Sequence, residues 1–301
     1  MKRIVFGVPL LAVLGLIAYG FTIASFGGSA PLAGGTSPAT GRSTGHHKAV
    51  TLPPEWPAAS TFQSIDLTQW STYITNYAAH GFPWNSDNAG GSSIGSGLYN
   101  DEYFLPSHID RTSGIVAITA TPGATEPGYS WTSGVLSSYG HASFLGGYIQ
   151  IEARIPDTTT GAWPALWLVA SPSDPDTDEI DLFEGGLTSY DDTNYNYSGF
   201  IHTDGKMAGG TFKLPTDLAA GVHTYAINWV PGKSVSWYLD NKLVETVTSR
   251  QVRIPSKPMA LILDMQVAAP PSSGWHTVAD GNQPFTMQVL GVQYARNPGT
   301  P

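Results

Sequence analysis

The sequence has no cysteine among its 301 residues. Disulfide bonds, zinc–thiolate sites and cysteine nucleophiles are therefore excluded. Charged residues are also scarce, at 12% of the chain, whereas long surface helices normally carry many Lys, Glu and Arg side chains. The composition thus argues against a helical protein and against a thiol enzyme.

Positive charge is particularly scarce. The chain has 14 Lys and Arg residues against 23 Asp and Glu residues, for a formal net charge of −9. An acidic protein without a basic patch repels a phosphate backbone, so we expect no nucleic-acid partner. A neutral polymer such as a polysaccharide suits this charge better, and we expect the protein to be a monomer.

Glycine, proline and aromatic residues are abundant instead. The 34 Gly and 23 Pro residues indicate many short strands joined by tight turns. Nine Trp and 14 Tyr residues are consistent with a protein that stacks aromatic rings on sugars, but aromatic rings also fill β-sandwich cores. Abundance alone does not separate these two roles.

The N-terminus has the pattern of an export signal. Lys2 and Arg3 precede an apolar run from Ile4 to about Phe26. The run, at about 23 residues, is also long enough to cross a bilayer as an uncleaved anchor. We therefore predict a protein that is secreted, periplasmic or anchored to the outer face of the cytoplasmic membrane. It would contact the membrane only through this segment, if the segment is not cleaved.

The rest of the chain divides into two parts. Residues 27–60 are rich in Gly, Ser, Thr, Pro and Ala, which predicts a flexible linker after an export segment at 1–26. Beyond it, apolar residues alternate with polar ones, as in Tyr148–Ile155. This period predicts one all-β domain over 61–298, an antiparallel β-sandwich of a dozen or more strands.

One predicted strand carries three acidic residues, in the run Glu179-Ile180-Asp181-Leu182-Phe183-Glu184. Alternate residues of a regular strand share a face, so Glu179 and Asp181 point together. Glu184 lies five positions after Glu179 and would face the other way, unless a one-residue β-bulge at Leu182-Phe183 returns it to the acidic face. Three carboxyls this close raise the pKa of at least one of them, which supplies a proton donor.

The spacing also favours one kind of hydrolysis. Four regular steps of about 3.3 Å, with both side chains reaching inward, bring the two Glu carboxyls to about 5 Å. Retaining glycosidases need about 5–5.5 Å, and inverting ones about 6.5–9.5 Å. A rival interpretation is a calcium loop that begins at Asp174, Asp176 and Asp178. However, Glu179 and Gly185 stand where such a loop needs Gly and Glu.

These residues resemble those of glycoside hydrolase family 16, in its laminarinase-like form with the extra bulge residue. The resemblance implies a jelly-roll, concanavalin-like sandwich with a substrate cleft on one sheet and no required cofactor, and it leaves a structural calcium open. It implies Glu179 as nucleophile, Asp181 as its orienting partner and Glu184 as general acid/base. The implied substrate contacts are Trp163, Trp167, His202, Asn100 and Arg154.

The sequence therefore predicts an exported, retaining endo-β-glycanase. Its expected substrate is a β-1,3-glucan, a β-1,3-1,4-glucan or a bacterial exopolysaccharide. Two alternatives stay open: a lectin-like, non-catalytic glycan-binding domain of the same fold, and a cell-wall transglycosylase in which a sugar hydroxyl replaces water.

Overall fold

The computed structural model describes residues 56–58, 61–72, 100–124, 126–170, 178–270, 273–279, 281 and 283–297. The predicted export segment and most of the predicted linker lie outside these residues. Among them, no helix is long and apolar enough to cross a membrane.

Strands make up most of the described structure. Their bounds are β1 (Gln63–Ser64), β2 (Glu102–Phe104), β3 (Ile109–Asp110), β4 (Val116–Pro122), β5 (Trp131–Ser133), β6 (Val135–Ser137), β7 (Gly147–Arg154), β8 (Ala162–Ala170), β9 (Glu179–Glu184), β10 (Asn196–Thr203), β11 (Lys206–Lys213), β12 (His223–Val230), β13 (Ser234–Leu239), β14 (Lys242–Thr248), β15 (Met259–Val267) and β16 (Phe285–Ala295). Single 3₁₀ turns are formed by Pro106–His108, Thr158–Thr160 and Thr193–Tyr195.

The strands form two sheets. The large sheet has the order β14-β13-β12-β7-β16-β4-β5-β2, with β1 on β16 and β3 on β4, and the small sheet has the order β11-β10-β9-β8-β15-β6. Neighbouring strands are antiparallel except for β2 and β5. The predicted all-β antiparallel sandwich is confirmed.

The core lies between the two sheets and follows the alternation seen in the sequence. Ile149, Ile151 and Ala153 of β7 are fully buried, and they meet Leu166 and Leu168 of β8 in one cluster. The polar residues between them in β7 point away from the core. Burial of one apolar face from each sheet therefore fixes which face of every strand looks outward.

The small sheet is unusual because its outer face is also partly apolar. A second cluster on that face consists of Phe104, Val135, Ala165, Trp167, Val169, Ala260 and Ile262. Strands β8 and β15 are consequently buried along their whole length, whereas an antiparallel sheet commonly has one solvated face. The acidic residues of β9 lie on this partly covered outer face.

The structure differs from the predicted linker at Trp56. Its ring is only 6% exposed and packs against Tyr148, Tyr238 and Phe62, at centroid distances of 5.1, 4.9 and 5.9 Å. These partners belong to a small cluster apart from the main core. The prediction of a flexible, unpacked segment is therefore wrong at Trp56, where the aromatic ring buries apolar area against the large sheet.

Candidate active site

Strand β9 contains the predicted bulge. On one side Phe183 pairs with Leu166 and Asp181 pairs with Trp167, so that Leu182 is the extra residue. The pairing with β10 shifts over the same stretch. Leu182 and Phe183 both point into the core, and the extra residue returns Glu184 to the face of Glu179 and Asp181.

His202 of β10 lies directly across from Glu179. Its Nε2 atom is 3.2 Å from Asp181 Oδ2 and 3.9 Å from Glu179 Oε1. Burial by itself lowers the pKa of His202, but the hydrogen bond to Asp181 and the charges of Asp181, Glu179 and Glu184 raise it to about 9. His202 is therefore an imidazolium at neutral pH and offsets the charge of the carboxylates beside it.

Glu184 has a different environment from Glu179. Burial raises its pKa well above the ordinary value, and the nearby charges of Asp181 and Glu179 raise it further. The indole N–H of Trp163 donates to Glu184 Oε1 at 3.2 Å. The two Glu side chains thus differ chemically: Glu179 lies beside the His202 imidazole, whereas burial and two like charges favour the protonated form of Glu184.

His276 supports the end of β9, and sequence reasoning missed it. Its Nε2 atom is 2.8 Å from the Gly185 carbonyl oxygen, and its ring lies 4.6 Å from the Trp163 ring. A Cβ atom at Gly186 would come within 2.4 Å of this imidazole, and Gly186 also has φ +87°. The Gly-Gly pair that follows Glu184 was the available signal, because it allows His276 to pack there.

The predicted substrate contacts Trp167 and Asn100 belong to a buried polar network. The Trp167 indole N–H donates to Asp264 Oδ1 at 3.4 Å, and Gln266 Nε2 donates to the same carboxyl at 3.4 Å. Asn100 in turn donates to the Gln266 side chain. Asp264 is fully buried, which raises its pKa to about 8. The network shows how Trp167 and Asn100 are held, and their contact with substrate stays a prediction.

A further carboxyl lies close to this network. Glu102 of β2 is fully buried, and its Oε2 atom accepts a hydrogen bond from the backbone N–H of Val267 at 2.8 Å. Burial raises its pKa well above the ordinary value, and the charge of Asp264 adds to that effect. The part of the small sheet beneath the acidic residues of β9 therefore holds two buried carboxyls, and burial raises the pKa of each.

Arg154 is not part of this site. It is the last residue of β7 in the large sheet, where it is exposed and pairs with Gln288 of β16. Its neighbour Ala153 faces the core, so the Arg154 side chain points to the opposite side of the sandwich from the carboxylates. The prediction that Arg154 contacts substrate in the same cleft is wrong, because the strand belongs to the other sheet.

Asp178 fixes the beginning of β9. Its carboxylate receives two hydrogen bonds from the Arg253 guanidinium, at 2.9 and 2.6 Å. Arg253 also binds Asp204 through Nε and Nη2. Asp178 is therefore occupied as an ion-pair partner, which removes one ligand from the rival calcium loop. Asp174 and Asp176 lie outside the described residues.

One group of donors in the described structure has the composition of a metal site. Single ligand atoms of Glu179, Asp181 and His202 all lie within 4.8 Å of one another. A divalent cation bound there would cover the Glu179 carboxylate. In the structure the His202 Nε2 atom lies within ion-pair distance of both carboxylates, at 3.2 Å from Asp181 and 3.9 Å from Glu179.

The family model for glycosyl hydrolases family 16 matches residues 103–280 of this chain. The chain belongs to glycoside hydrolase family 16. The match includes β9 with all three acidic residues, the Trp163 strand and His276. As a member of this family the chain is a glycoside hydrolase, and hydrolysis in the family requires no cofactor.

Relatives of known activity agree with this assignment. The chain is 28% identical to the beta-glucanase of Rhodothermus marinus over 194 residues, which cover 58% of this chain and 67% of the relative. It is 26% identical to the endo-1,3-1,4-beta-glycanase ExsH of Rhizobium meliloti over 210 residues, which cover 64% of this chain but only 43% of the relative.

Solved structures show the same fold. The laminarinase catalytic domain of Thermotoga maritima superposes with a TM-score of 0.61 at 24% identity, covering 79% of this chain and 97% of that one. The endo-beta-1,3-glucanase of Pyrococcus furiosus gives a TM-score of 0.61 at 23% identity, covering 79% and 96%. At this level of identity the likeness establishes the sandwich architecture alone.

Proposed function

We propose that this family 16 hydrolase is a retaining endo-β-glycanase that cleaves internal β-glycosidic bonds of an extracellular polysaccharide. The observation that carries the proposal is the contrast between two carboxyls on one face of β9. Glu179 lies 3.9 Å from the His202 imidazolium, whereas burial and two like charges raise the pKa of Glu184. A retaining glycosidase needs this combination of one ionised and one protonated carboxyl.

In the first step the Glu179 carboxylate attacks the anomeric carbon and forms a glycosyl ester. The bond to the leaving oxygen breaks, and Glu184 donates its proton to that oxygen. Asp181 holds the His202 imidazolium at 3.2 Å and thereby orients the charges around the nucleophile. In the second step Glu184, now ionised, takes a proton from water, which attacks the same carbon and releases Glu179.

A β-1,3-glucan or a mixed-linkage β-glucan is the substrate class that we propose. Relatives named as a beta-glucanase and an endo-1,3-1,4-beta-glycanase support this class. The net charge of −9 disfavours anionic polymers, and the Trp163 ring beside Glu184 suits the apolar face of a neutral sugar.

Export and a monomeric state are parts of the same proposal. The Lys2-Arg3 pair and the apolar run after it support export, which a polymer too large to enter the cell requires. All three carboxyls come from one strand of one chain, so catalysis needs no partner subunit.

A substrate with an activated aryl leaving group tests the two roles. Glu184→Ala removes the proton donor but keeps the nucleophile, so the first step should survive on this substrate while the glycosyl-enzyme accumulates. Azide needs no deprotonation and should restore turnover, giving a glycosyl azide of β configuration.

The matched control is Glu179→Ala. Azide should then take the place of the missing nucleophile and give the α-azide. Exchange of the two products between the variants would mean that the two Glu roles are reversed. If the unmutated protein cleaves neither a β-glucan nor the aryl glycoside, the proposed activity is wrong.

A further inference from the structure

A cavity of about 340 Å³ opens beyond the end of β9. Hydroxyl groups supply much of its lining, from Thr159, Thr188, Ser189, Thr193 and Thr277. Tyr190 and Asp191 complete the described lining. The volume lies within the range of roughly 300–1,000 Å³ that small-ligand sites occupy.

The cavity is connected to the catalytic face by two paired segments. The Thr188 N–H donates to the Trp275 carbonyl at 3.0 Å, and the Thr277 N–H donates to the Gly186 carbonyl at 3.0 Å. The Trp275 ring meets the Trp163 ring edge-on, at 5.2 Å. Thr188 follows Glu184 by four residues, a reach of at most about 14 Å. The paired segments therefore form a continuous wall between Glu184 and the cavity.

The chemistry of the lining fits a neutral sugar. Asp191 is exposed, and no described residue forms an ion pair or hydrogen bond with its carboxylate, which can accept bonds from two neighbouring sugar hydroxyls. The Tyr190 ring is 36% exposed and offers an apolar surface, with Lys213 Nζ 5.5 Å from its centroid. Hydroxyl side chains both donate and accept, as sugar hydroxyls do.

Other ligand classes suit the cavity less well. A phosphate or a sugar acid would meet the unpaired Asp191 carboxylate, which repels it. The Thr159 and Ser189 hydroxyls already donate within the protein, and the Thr193 hydroxyl accepts there. A purely apolar ligand would still take the remaining lining hydroxyls and the Asp191 carboxylate out of water without replacing their hydrogen bonds, at a cost in free energy.

We propose that this cavity is an auxiliary glycan subsite that holds a segment of neutral β-glucan several units away from the cleaved bond, with Tyr190 as the stacking ring and Asp191 as the hydroxyl acceptor. The proposal rests on the proposed function, because it assumes a polymeric β-glucan. A long polymer gains affinity from both places at once, whereas a short aryl glycoside occupies only the catalytic face.

The first test compares substrates of different length in the full chain. In the double variant Tyr190→Ala/Asp191→Asn, the ratio of kcat/KM for polymer to kcat/KM for the aryl glycoside should fall by about tenfold, the loss expected for one stacking contact. Tyr195→Ala is the matched control, because Tyr195 is 38% exposed and does not line the cavity. An unchanged ratio, or an equal fall in the control, overturns the subsite.

The second test separates this proposal from the proposed function. Mobility of the Glu179→Gln chain in gels containing β-glucan reports binding without cleavage, and adding the double substitution should reduce the retardation by about the same factor. If the unmutated protein cleaves no β-glucan, the proposed function fails; retardation that still depends on Tyr190 and Asp191 then supports the subsite. Absence of retardation in that case overturns the subsite as well.

Discussion

At the scale of single residues, the fully buried Asp264 makes the stability of the folded state depend on pH. Burial raises the pKa of its carboxyl to about 8, whereas an unfolded Asp has a pKa near 3.9. The folded state therefore binds this proton more tightly than the unfolded state. The resulting stability is fully present below about pH 4 and is lost progressively as the pH rises towards 8.

Asp264→Asn should therefore stabilise the protein at neutral pH. The amide keeps an oxygen that accepts from Trp167 and Gln266. Because the amide does not ionise, its burial does not become less favourable as the pH rises. We expect the melting temperature to rise by several degrees at pH 7, and the gain to shrink towards pH 4. Calorimetric melting at both pH values measures this difference.

The control is Asp110→Asn. The exposed Asp110 carboxylate accepts hydrogen bonds from Thr112, which lower its pKa, so its replacement should bring no gain at pH 7. A gain for Asp264→Asn that is equal at both pH values would show that ionisation is not its source.

At the scale of single elements, β9 depends on the ion pair of Asp178, the residue that immediately precedes it. Asp178 is buried and binds both terminal nitrogens of Arg253, whereas Asp204 binds the same arginine from an exposed position. The pair is buried only on its Asp178 side, because the Arg253 side chain is 37% exposed. Removing the cation leaves the buried Asp178 carboxylate uncompensated, which is more damaging than losing a surface pair.

Arg253→Met should therefore reduce the free energy of unfolding by about 2 kcal/mol, between the values for surface and fully buried pairs. Asp204→Asn, which removes only the exposed partner, should cost about 1 kcal/mol or less. Denaturant titration of the two variants measures both values. Adding Asp178→Asn to Arg253→Met should recover part of the loss; if it does not, the buried charge is not the cause.

The residues of β9 also show what the sequence could and could not predict. Glu184 lies an odd number of residues after Glu179, so a shared face required a bulge between them. The structure has this bulge at Leu182. It could be predicted because it depends only on the alternation of side chains within one strand. Asp264 was missed because its importance depends on β15 lying beside β8, which is a long-range pairing. Arg154 was misplaced for the same reason: alternation gives the face of a strand but not its sheet.

At the scale of the whole molecule, Trp56 joins a segment before the first strand to the large sheet. Compositional reasoning assigned 27–60 to a linker, because one Trp in a run of small and polar residues has little weight. Its burial against Tyr148 and Tyr238 is a tertiary contact that no local pattern encodes.

Trp56→Ala should lower the melting temperature, because it exposes the apolar surfaces of three aromatic neighbours. A loss of about 2 kcal/mol corresponds to roughly 4–8 °C for a domain of this size. Trp275→Ala, at a site where the ring is 39% exposed, should cost clearly less. Equal shifts in the two variants would mean that the burial of Trp56 stabilises the domain no more than the half-exposed Trp275 does.

The bulge at Leu182 has a consequence for the ancestry of such strands. Loss of that one codon would leave Glu-Ile-Asp-Phe-Glu, a regular alternation in which all three acids still share a face. The change would remove a single core side chain, at a cost of about 2–5 kcal/mol, but would not turn an acid inward. One codon can therefore be lost or gained in this strand without turning an acid inward, whereas the same deletion in most strands would turn the side chains on one side of it to the opposite face.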